Sequence, residues 1–395
     1  WQYIRTWAWA GCVAYLGWVG NAKAGVLEIS KKQTPAPFFV YDYLKLKNFN
    51  VAESEESISI NKNLNKMKKF IVFFMAVMAM FATTVKAQTS LLATLNHQGK
   101  ISTFYGNKAL QQAHAAAVDG DVINLSSGTF QAENITKAIT LRGAGMSLDA
   151  TSQIEPTILV NSFNIEIPDE TTQRLTIEGI YSDQTIVIHK LKNALFLKNR
   201  FWIINVDNRS GYYATDLTFI HCKIAGGYLG YNATTSASFQ NCIVSAQHGE
   251  NYSLNNCILK DGYNCVYATH CPNSEYKNCI FVKSDDAQST STYYNNLYIR
   301  DKDFLGIPNN TNIRVDETNA AIKNLLNYSD DNDYKLTEAA KALIKGTDGT
   351  EVGIYGGNLP FDPTPTNPQI SKFNVAAKTT ADGKLSVDIE VKSAE

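Results

Sequence analysis

The sequence predicts an all-β protein: a right-handed parallel β-helix with an N-terminal helical cap, followed by the start of a small β-sandwich module. Three observations predict it. A short phrase recurs along the middle of the chain, the apolar pattern changes phase within that phrase, and short glycine-broken strands precede it. Similarity at a nearly regular interval is typical of repeat proteins, in which each repeat is one supersecondary unit stacked on its neighbours.

The recurring phrase reads apolar, any residue, Asn (once His), Cys, any residue, apolar. A fainter copy, Leu197-Lys198-Asn199-Arg200, lies upstream with Arg in place of Cys. The intervals between the cysteines are 20, 15 and 22 residues, and 15 is short for a full three-sided coil. We therefore expect a lost strand or a register shift at that interval. The cysteines of the four copies are Cys222, Cys242, Cys257 and Cys279.

The change of phase indicates a corner at the Asn of each copy. Side chains of a strand alternate with period two, yet the apolar pattern slips by one residue at this position. Asn suits a corner because it tolerates left-handed backbone angles and bonds neighbouring backbone groups. Stacked coils would place Asn241, Asn256 and Asn278 about 4.8 Å apart. The sequence therefore predicts a hydrogen-bonded ladder of these amides.

The cysteines of the phrase are expected to form a buried stack of small side chains behind the Asn ladder. The close pairs of a zinc site are absent from the sequence. Disulfides between neighbouring coils are disfavoured, because side chains in register point the same way and their Cβ atoms lie slightly too far apart. Cys265 and Cys271 flank an expected loop, and the sequence leaves open whether they form a disulfide.

The N-terminal part of the chain does not resemble the rest. Met67-Lys68-Lys69 begins a basic segment, an apolar run follows from Phe70 to Phe81, and Val85-Lys86-Ala87 has the pattern of a cleavage site. This organisation predicts a signal peptide at 67–87, and the apolar run is too short for a comfortable transmembrane span. Residues 1–66 would then be upstream sequence translated in error or a disordered extension; the alternative is a genuine N-terminal domain. The mature chain is expected to be secreted or exposed at the cell surface, without a transmembrane segment.

The mature chain is expected to begin with a capped β-helix domain at 88–359. Leu110, Ala113 and Ala117 recur at helical spacing, and this short helix is well placed to cover the open end of the first coil. From there the sequence resembles the pectin-lyase-like superfamily of parallel β-helices, as in exported proteins of the Bacteroidetes type. That resemblance is carried by Ala113, Ala117, Gly120, Asp121, Ile123, Leu125, Gly128, Phe130, Leu141 and Gly143.

The C-terminal part resembles the closing segment of secreted bacterial β-helix proteins. Gly346-Thr347-Asp348-Gly349 and Gly353-Ile354-Tyr355-Gly356-Gly357 carry this likeness, although the usual Ser-Pro is absent. Residues 360–369 are rich in proline and predict a stiff linker. Residues 370–395 alternate about Asp382-Gly383, as a β-hairpin does, and predict the truncated start of a β-sandwich module.

Composition excludes some partners. The net charge is −1 and 18% of residues are charged, so neither nucleic acid nor an anionic membrane surface is an expected partner. The expected partner is a polysaccharide or cell-surface glycan, bound by a monomer whose tyrosines offer sugars an aromatic surface: Tyr228, Tyr231, Tyr263, Tyr267, Tyr293 and Tyr294.

Two classes of function remain. The first is an exported, non-catalytic β-helix for adhesion or glycan binding. The second is a lyase or glycoside hydrolase acting on an acidic, uronate-containing polysaccharide. Family resemblance implies that such enzymes carry carboxylates and a basic residue on one face, which bind calcium or perform acid/base chemistry. The best acidic candidates are Asp285 and Asp286, with His248-Gly249-Glu250 next.

The catalytic motifs of polygalacturonases and pectate lyases are absent, which favours the non-catalytic class and predicts no catalytic residue and no cofactor. Asp330-Asp331-Asn332-Asp333 lacks the Gly and the distal Glu of an EF-hand loop, so a polar turn is expected there and calcium binding is the alternative. Two carboxylates about 5–10 Å apart in an open groove, near a Lys, Arg or His, would favour the enzyme.

Overall fold

The computed structural model of the chain describes residues 91–148, 154–207, 209–228, 234–245, 247–260, 271–282, 290–299, 311–315, 334–375, 378–379 and 382–392. Over this part the protein is all-β and forms a parallel β-solenoid, which confirms the predicted fold class. The strands are β1 (Leu92–His97), β2 (Lys100–Tyr105), β3 (Val122–Leu125), β4 (Gly128–Gln131), β5 (Thr140–Arg142), β6 (Thr157–Val160), β7 (Phe163–Glu166), β8 (Leu175–Glu178), β9 (Ile180–Leu197), β10 (Arg200–Val206), β11 (Tyr213–Ile220), β12 (Lys223–Ile224), β13 (Gly227–Tyr228), β14 (Thr234–Gln240), β15 (Ile243–Ser245), β16 (Gln247–His248), β17 (Tyr252–Asn255), β18 (Ile258–Lys260), β19 (Glu275–Lys277), β20 (Ile280–Phe281), β21 (Thr292–Tyr294), β22 (Leu297–Ile299), β23 (Ile313–Val315), β24 (Gln369–Val375) and β25 (Val387–Lys392). The helices within these residues are α1 (Ala109–Ala116) and α2 (Glu338–Leu343).

Each coil contributes strands to parallel stacks that we call face 1, face 2 and face 3. Face 1 stacks β3, β5, β8, the end of β9, β11, β14, β17, β19 and β21. Face 2 stacks β4, β6, the start of β9, β10, β12, β15, β18, β20, β22 and β23. Face 3 contains β7, the middle of β9, the end of β10 and the separate pair β13–β16. Equivalent residues of successive coils therefore form columns along the axis.

A residue with a left-handed backbone turns the corner between face 1 and face 2. The φ angle is 49° at Asn241, 53° at Asn256 and 56° at Asn278, and it is 54° at His221. The short interval between Cys242 and Cys257 does not disturb the register, because Ile243 still pairs with Ile258. Its coil is short only in the connection from β16 to β17, residues 249–251.

The faint copy of the phrase has a different register from the one expected. Lys198 turns the corner with φ 55°, and Asn199 occupies the buried position of the cysteines. The Asn199 amide accepts a hydrogen bond from Ile180 N at 2.9 Å and donates one to Ile177 O at 2.7 Å. These internal bonds explain the shift, since they satisfy backbone groups that the preceding coil leaves free. The shift places Arg200 beside Lys223 on face 2.

The cysteines of the phrase lie fully buried and belong to a hydrogen-bonded column. Their Sγ atoms approach carbonyl oxygens of the preceding coil in the pairs Cys222–Phe196 (3.2 Å), Cys242–Phe219 (3.4 Å), Cys257–Phe239 (3.4 Å) and Cys279–Leu254 (3.4 Å). Asn199, Asn296 and Asn312 donate to the equivalent carbonyls. The four cysteines are free thiols, and burial raises the pKa of Cys242, Cys257 and Cys279 well above the usual range. At this position of the coil, a thiol and a carboxamide therefore make the same contact, with a carbonyl oxygen of the preceding coil.

The predicted ladder between corner amides is wrong. The amides instead bond the segment 345–366, which we call the strap and which runs along the outer side of the corner. Four side chains of the coils donate hydrogen bonds to the strap: Asn295 Nδ2 to Lys345 O (2.9 Å), Asn256 Nδ2 to Gly353 O (3.3 Å), Asn241 Nδ2 to Ile354 O (2.8 Å) and Lys198 Nζ to Asp362 Oδ2 (2.9 Å). Two side chains accept hydrogen bonds from it: Asn278 Oδ1 from Thr347 N (2.8 Å) and Glu178 Oε1 from Thr366 N (2.8 Å). His221 Nε2 lies 3.0 Å from Leu359 O. The left-handed corner residues direct their side chains outward, and the strap reaches them there. Residues 360–366 of the predicted linker therefore belong to the strap.

A second apolar cluster lies outside the solenoid, on face 2. Ile243, Ile258, Ile280 and Leu297 point outward in one column and are buried all the same. They are covered by α2 and the strap, chiefly through Leu336, Ala340, Ile344, Val352 and Ile354. The Thr337 hydroxyl caps α2 by accepting a hydrogen bond from Ala340 N at 3.3 Å. These outward isoleucines are therefore structural.

The two ends of the described chain differ. The predicted helical cap is α1, which buries Ala109, Leu110 and Ala113 in the solenoid core. Strand β1 pairs antiparallel with β2 and β3 beside it. At the other end β24 and β25 form an antiparallel pair in which Val387, Ile389 and Val391 stay about half exposed. The β-sandwich module beyond this pair stays a prediction.

Candidate functional site

An open groove of about 760 Å³ crosses face 1 near the start of its strands. Its floor includes an in-register column of outward residues from five coils, four with hydroxyl groups and one with a carboxylate. The column is Thr218, Ser238, Ser253, Glu275 and Thr292. The groove therefore presents a repeating row of hydrogen-bonding groups about 4.8 Å apart.

A second series of left-handed residues forms one edge of the groove. The φ angle is 55° at Asn193, Asp216 and Asn273, and 60° at Asn251. The edge is tied between coils, because Asp216 N donates to Ser236 Oγ at 2.8 Å and Asn273 N donates to Thr290 Oγ1 at 3.1 Å. This edge was not among the predictions, although the sequence carries a signal for it. An Asn, Asp or Ser stands three residues before the aromatic or leucine of the buried column in each of these coils.

The charge of the groove is acidic. Asp216 and Glu275 are both exposed in it, and neither forms an ion pair with another described residue. The remaining lining consists mainly of hydroxyl and amide side chains. Such a surface suits a ligand that is rich in hydroxyl groups, because each group can pair with a donor or an acceptor.

A histidine lies between two carboxylates beyond the edge of the groove. His189 Nδ1 is 3.3 Å from Glu166 Oε2, and His189 Nε2 is 3.6 Å from Asp207 Oδ2. Each ring nitrogen of His189 thus faces a different carboxylate. The ring also stacks on Tyr212, with centroids 4.8 Å apart and planes 15° apart.

Arg209 completes this cluster and keeps one carboxylate charged. Its Nε donates to Asp207 Oδ2 at 2.9 Å, and its guanidinium lies over Tyr212 at 4.9 Å. The hydrogen bonds from Arg209 hold the pKa of the Asp207 carboxyl below its usual range. Glu166 differs, since half of its side chain is exposed. The two carboxylates thus occupy unlike surroundings, which is the condition for unlike acid/base roles.

The cluster and the groove adjoin along two neighbouring coils. His189 precedes Asn193 by four residues in β9, and Tyr212 precedes Asp216 by four residues. At about 3.3 Å per strand residue this separation is about 13 Å. The sequence did not predict this cluster, because Glu166, His189 and Asp207 share no motif and meet only when coils stack.

The structure places the other predicted site residues as follows. Asp285, Asp286, Cys265 and residues 330–333 lie outside the described residues, as does the side chain of His248. Cys271 is described and buried. Tyr293 is buried and stacks on Tyr276, so it offers no surface to a sugar, whereas Tyr294 is 40% exposed.

The part of the chain that the structure describes contains neither a cluster of metal ligands nor a helix that could span a membrane. Among the described residues no three His, Cys, Asp or Glu side chains converge on a metal position. Within the same residues, no helix has the length and apolar character needed to cross a membrane.

Comparisons with family models, curated proteins and solved structures gave one match, to a solved structure. No protein-family model matches the chain, and no curated protein matches it. Among solved structures, the chain resembles a mutant of the PL6 family alginate lyase AlyGC, with a TM-score of 0.23 and 12% identity. The match covers 65% of this chain and 56% of that enzyme.

Proposed function

We propose that the chain binds a polysaccharide, which lies along the groove of face 1. The observation that carries this proposal is the in-register column of hydroxyl groups and one carboxylate, which crosses five coils of the open groove. A polymer of sugars repeats its hydroxyl groups along its length, so one ligand can pair with successive coils. We further propose that the protein acts outside the cell, as the expected signal peptide implies.

Binding is tested by filling the groove. Ser238→Phe and Ser253→Phe each place a ring on the groove floor at an exposed strand position, where the fold tolerates it. We expect each variant to lower the affinity for the best polysaccharide of a neutral and acidic panel at least about tenfold, or about 1.4 kcal/mol. The measurement is affinity electrophoresis followed by calorimetry.

Thr176→Phe is the matched control, because Thr176 faces outward from face 1 two coils away from Thr218, beyond the groove. We expect the Thr176→Phe variant to bind the same polysaccharide with the affinity of the wild type. Binding that survives both groove variants, or a wild type that binds nothing in the panel, would contradict the proposal.

A second candidate function, cleavage of the bound chain, is favoured by the geometry of the His189 cluster. An imidazole between an ionised carboxylate and a half-exposed one can move a proton to or from a sugar unit that extends beyond the groove edge and lies over the cluster. If the protein cleaves its ligand, His189→Ala should abolish the release of reducing or unsaturated ends and leave binding within about twofold. His97→Ala is the control, because His97 pairs with Asp121 at 2.8 Å near the helical cap. A wild type that binds but releases no product would leave binding as the function.

A further inference from the structure

The outward residues of face 2 change from apolar to charged at the end of the apolar cluster that α2 and the strap cover. Its outward column contains Ile280, Ile258 and Ile243 beneath α2 and the strap. On the next coils the same column continues with Lys223, Arg200 and Tyr181. A buried apolar row is thus followed directly by two cations and an aromatic ring.

Among the described residues, Arg200 and Lys223 have no acidic partner. No ion pair joins Arg200 or Lys223 to a carboxylate in the parts of the chain that the structure describes, including Asp183 on the neighbouring coil. They rest instead on aromatic rings, with the Arg200 guanidinium 4.8 Å from the Tyr181 centroid and Lys223 Nζ 5.6 Å from that of Phe361. Burial, with the charges of Arg200 and Lys260, holds the pKa of Lys223 below its usual range. An anion placed between the two cations would relieve this repulsion.

An exposed indole completes the patch. Trp202 follows Arg200 by two residues in β10, and both residues are exposed. The pairing of β10 with β9 shifts register between Phe201 and Ile203, so Trp202 lies where β10 leaves face 2. Trp202 is 45% exposed. The following coil brings Ala225 and Gly226 alongside, since Ala225 N donates to Phe201 O at 2.9 Å and Gly226 lies near the Trp202 carbonyl. These small residues add little side-chain bulk beside Trp202.

We propose that Tyr181, Arg200, Trp202 and Lys223 form a second binding site, which takes a carboxylate- or sulfate-bearing sugar of an acidic polysaccharide. The guanidinium fork of Arg200 pairs with two oxygens of the anionic group, and Lys223 adds a point charge. The indole packs against the apolar side of the sugar ring. The site lies on a different face from the groove, so it does not depend on the function proposed above.

Short ligands test this site alone, because they cannot reach from one face to another. Trigalacturonate supplies carboxylates, a sulfated disaccharide supplies sulfate, and maltotriose is neutral. With the purified protein at low salt, we expect Arg200→Gln/Lys223→Gln to weaken binding of the preferred anionic ligand at least about tenfold. Trp202→Ala should weaken it about three- to tenfold, and maltotriose binding should not respond to any of these changes. Preference for trigalacturonate or for the sulfated disaccharide identifies the anionic group, and either one supports the site.

The matched control removes the same charge elsewhere. Lys100→Gln/Arg174→Gln changes two exposed cations outside the patch and should bind as the wild type does. Equal losses in both double variants would show a general charge effect and overturn the proposal. Tighter binding of a single-stranded oligonucleotide than of either anionic sugar would overturn it as well. A loss of trigalacturonate binding in Ser253→Phe would assign the anion to the groove, and it would also overturn the proposal without affecting groove binding.

Discussion

Phe239→Ala is expected to lower the free energy of unfolding by about 3–5 kcal/mol. Phe196, Phe219 and Phe239 form a buried stack along the solenoid axis, with ring centroids 4.7 Å apart at both steps and planes within 9° and 7° of parallel. Removing the last ring leaves a cavity that the hydrogen-bonded coils on either side cannot close. Urea unfolding measures this loss of stability. The comparison holds if the variant and the wild type have the same m-value, the slope of the free energy of unfolding against urea concentration.

Phe239→Leu is the control for this prediction. Leu254 occupies the equivalent position on the next coil, so the column already accepts leucine. The leucine variant should therefore lose less than half as much stability as the alanine variant. A loss below about 1 kcal/mol in Phe239→Ala would contradict the role of the stack.

Gly356→Val is expected to release the strap from the corner. A Cβ atom at Gly356 would lie 2.8 Å from the carbonyl carbon of Glu351, and closer still to its oxygen and to Asn256 Nδ2. Backbone atoms form most of this contact, so no rotation of a side chain removes the overlap. Overpacking of this kind costs about 1–3 kcal/mol, and the strap bonds of Asn241 and Asn256 would be lost as well.

Limited proteolysis distinguishes this effect from general unfolding. In Gly356→Val, cleavage within 345–366 should become at least about tenfold faster while cleavage within the coils stays slow. Asn358→Ala, at an exposed position of the same segment, should behave as the wild type. Equal protection of the strap in both variants would show that the chain accommodates the valine.

The parts of the fold that could be predicted from sequence are those that depend on the order of apolar and polar residues within a few positions. The phase slip at Asn241 and Asn256 indicated a corner, and the structure has left-handed backbone there. The partners of the corner amides could not be predicted, since the strap atoms that bond Asn278, Asn256 and Asn241 are 69, 97 and 113 residues away along the chain. Local pattern also misled at Asn199, because an Asn beside a Lys resembles the corner residue of the other copies. The left-handed backbone of Lys198 and the pairing of Arg200 with Lys223 show the actual register.

The candidate sites were harder to predict than the fold. Glu166, His189 and Asp207 are about one coil apart in sequence, and the loops that vary in length between coils hide their alignment. The groove column could have been predicted, because Ser238 and Ser253 each stand directly before the buried aromatic residue or leucine of their coil in the sequence. Hydroxyl side chains are common on exposed strands, however, so their alignment acquires meaning only when the groove is visible.

The strap also changes how the molecule should come apart. An array of coils that touch only their neighbours can fray from an end, one coil at a time. Here residues 347 and 366 bond coils 69 and 188 positions earlier in the chain, so a segment that follows the coils in the chain ties together coils that are synthesised well before it. Such distant contacts slow folding, because the strap can dock only after every coil it crosses has formed. Once docked, it makes loss of one coil unfavourable without loss of the others, and the solenoid gains the all-or-none melting of a compact domain.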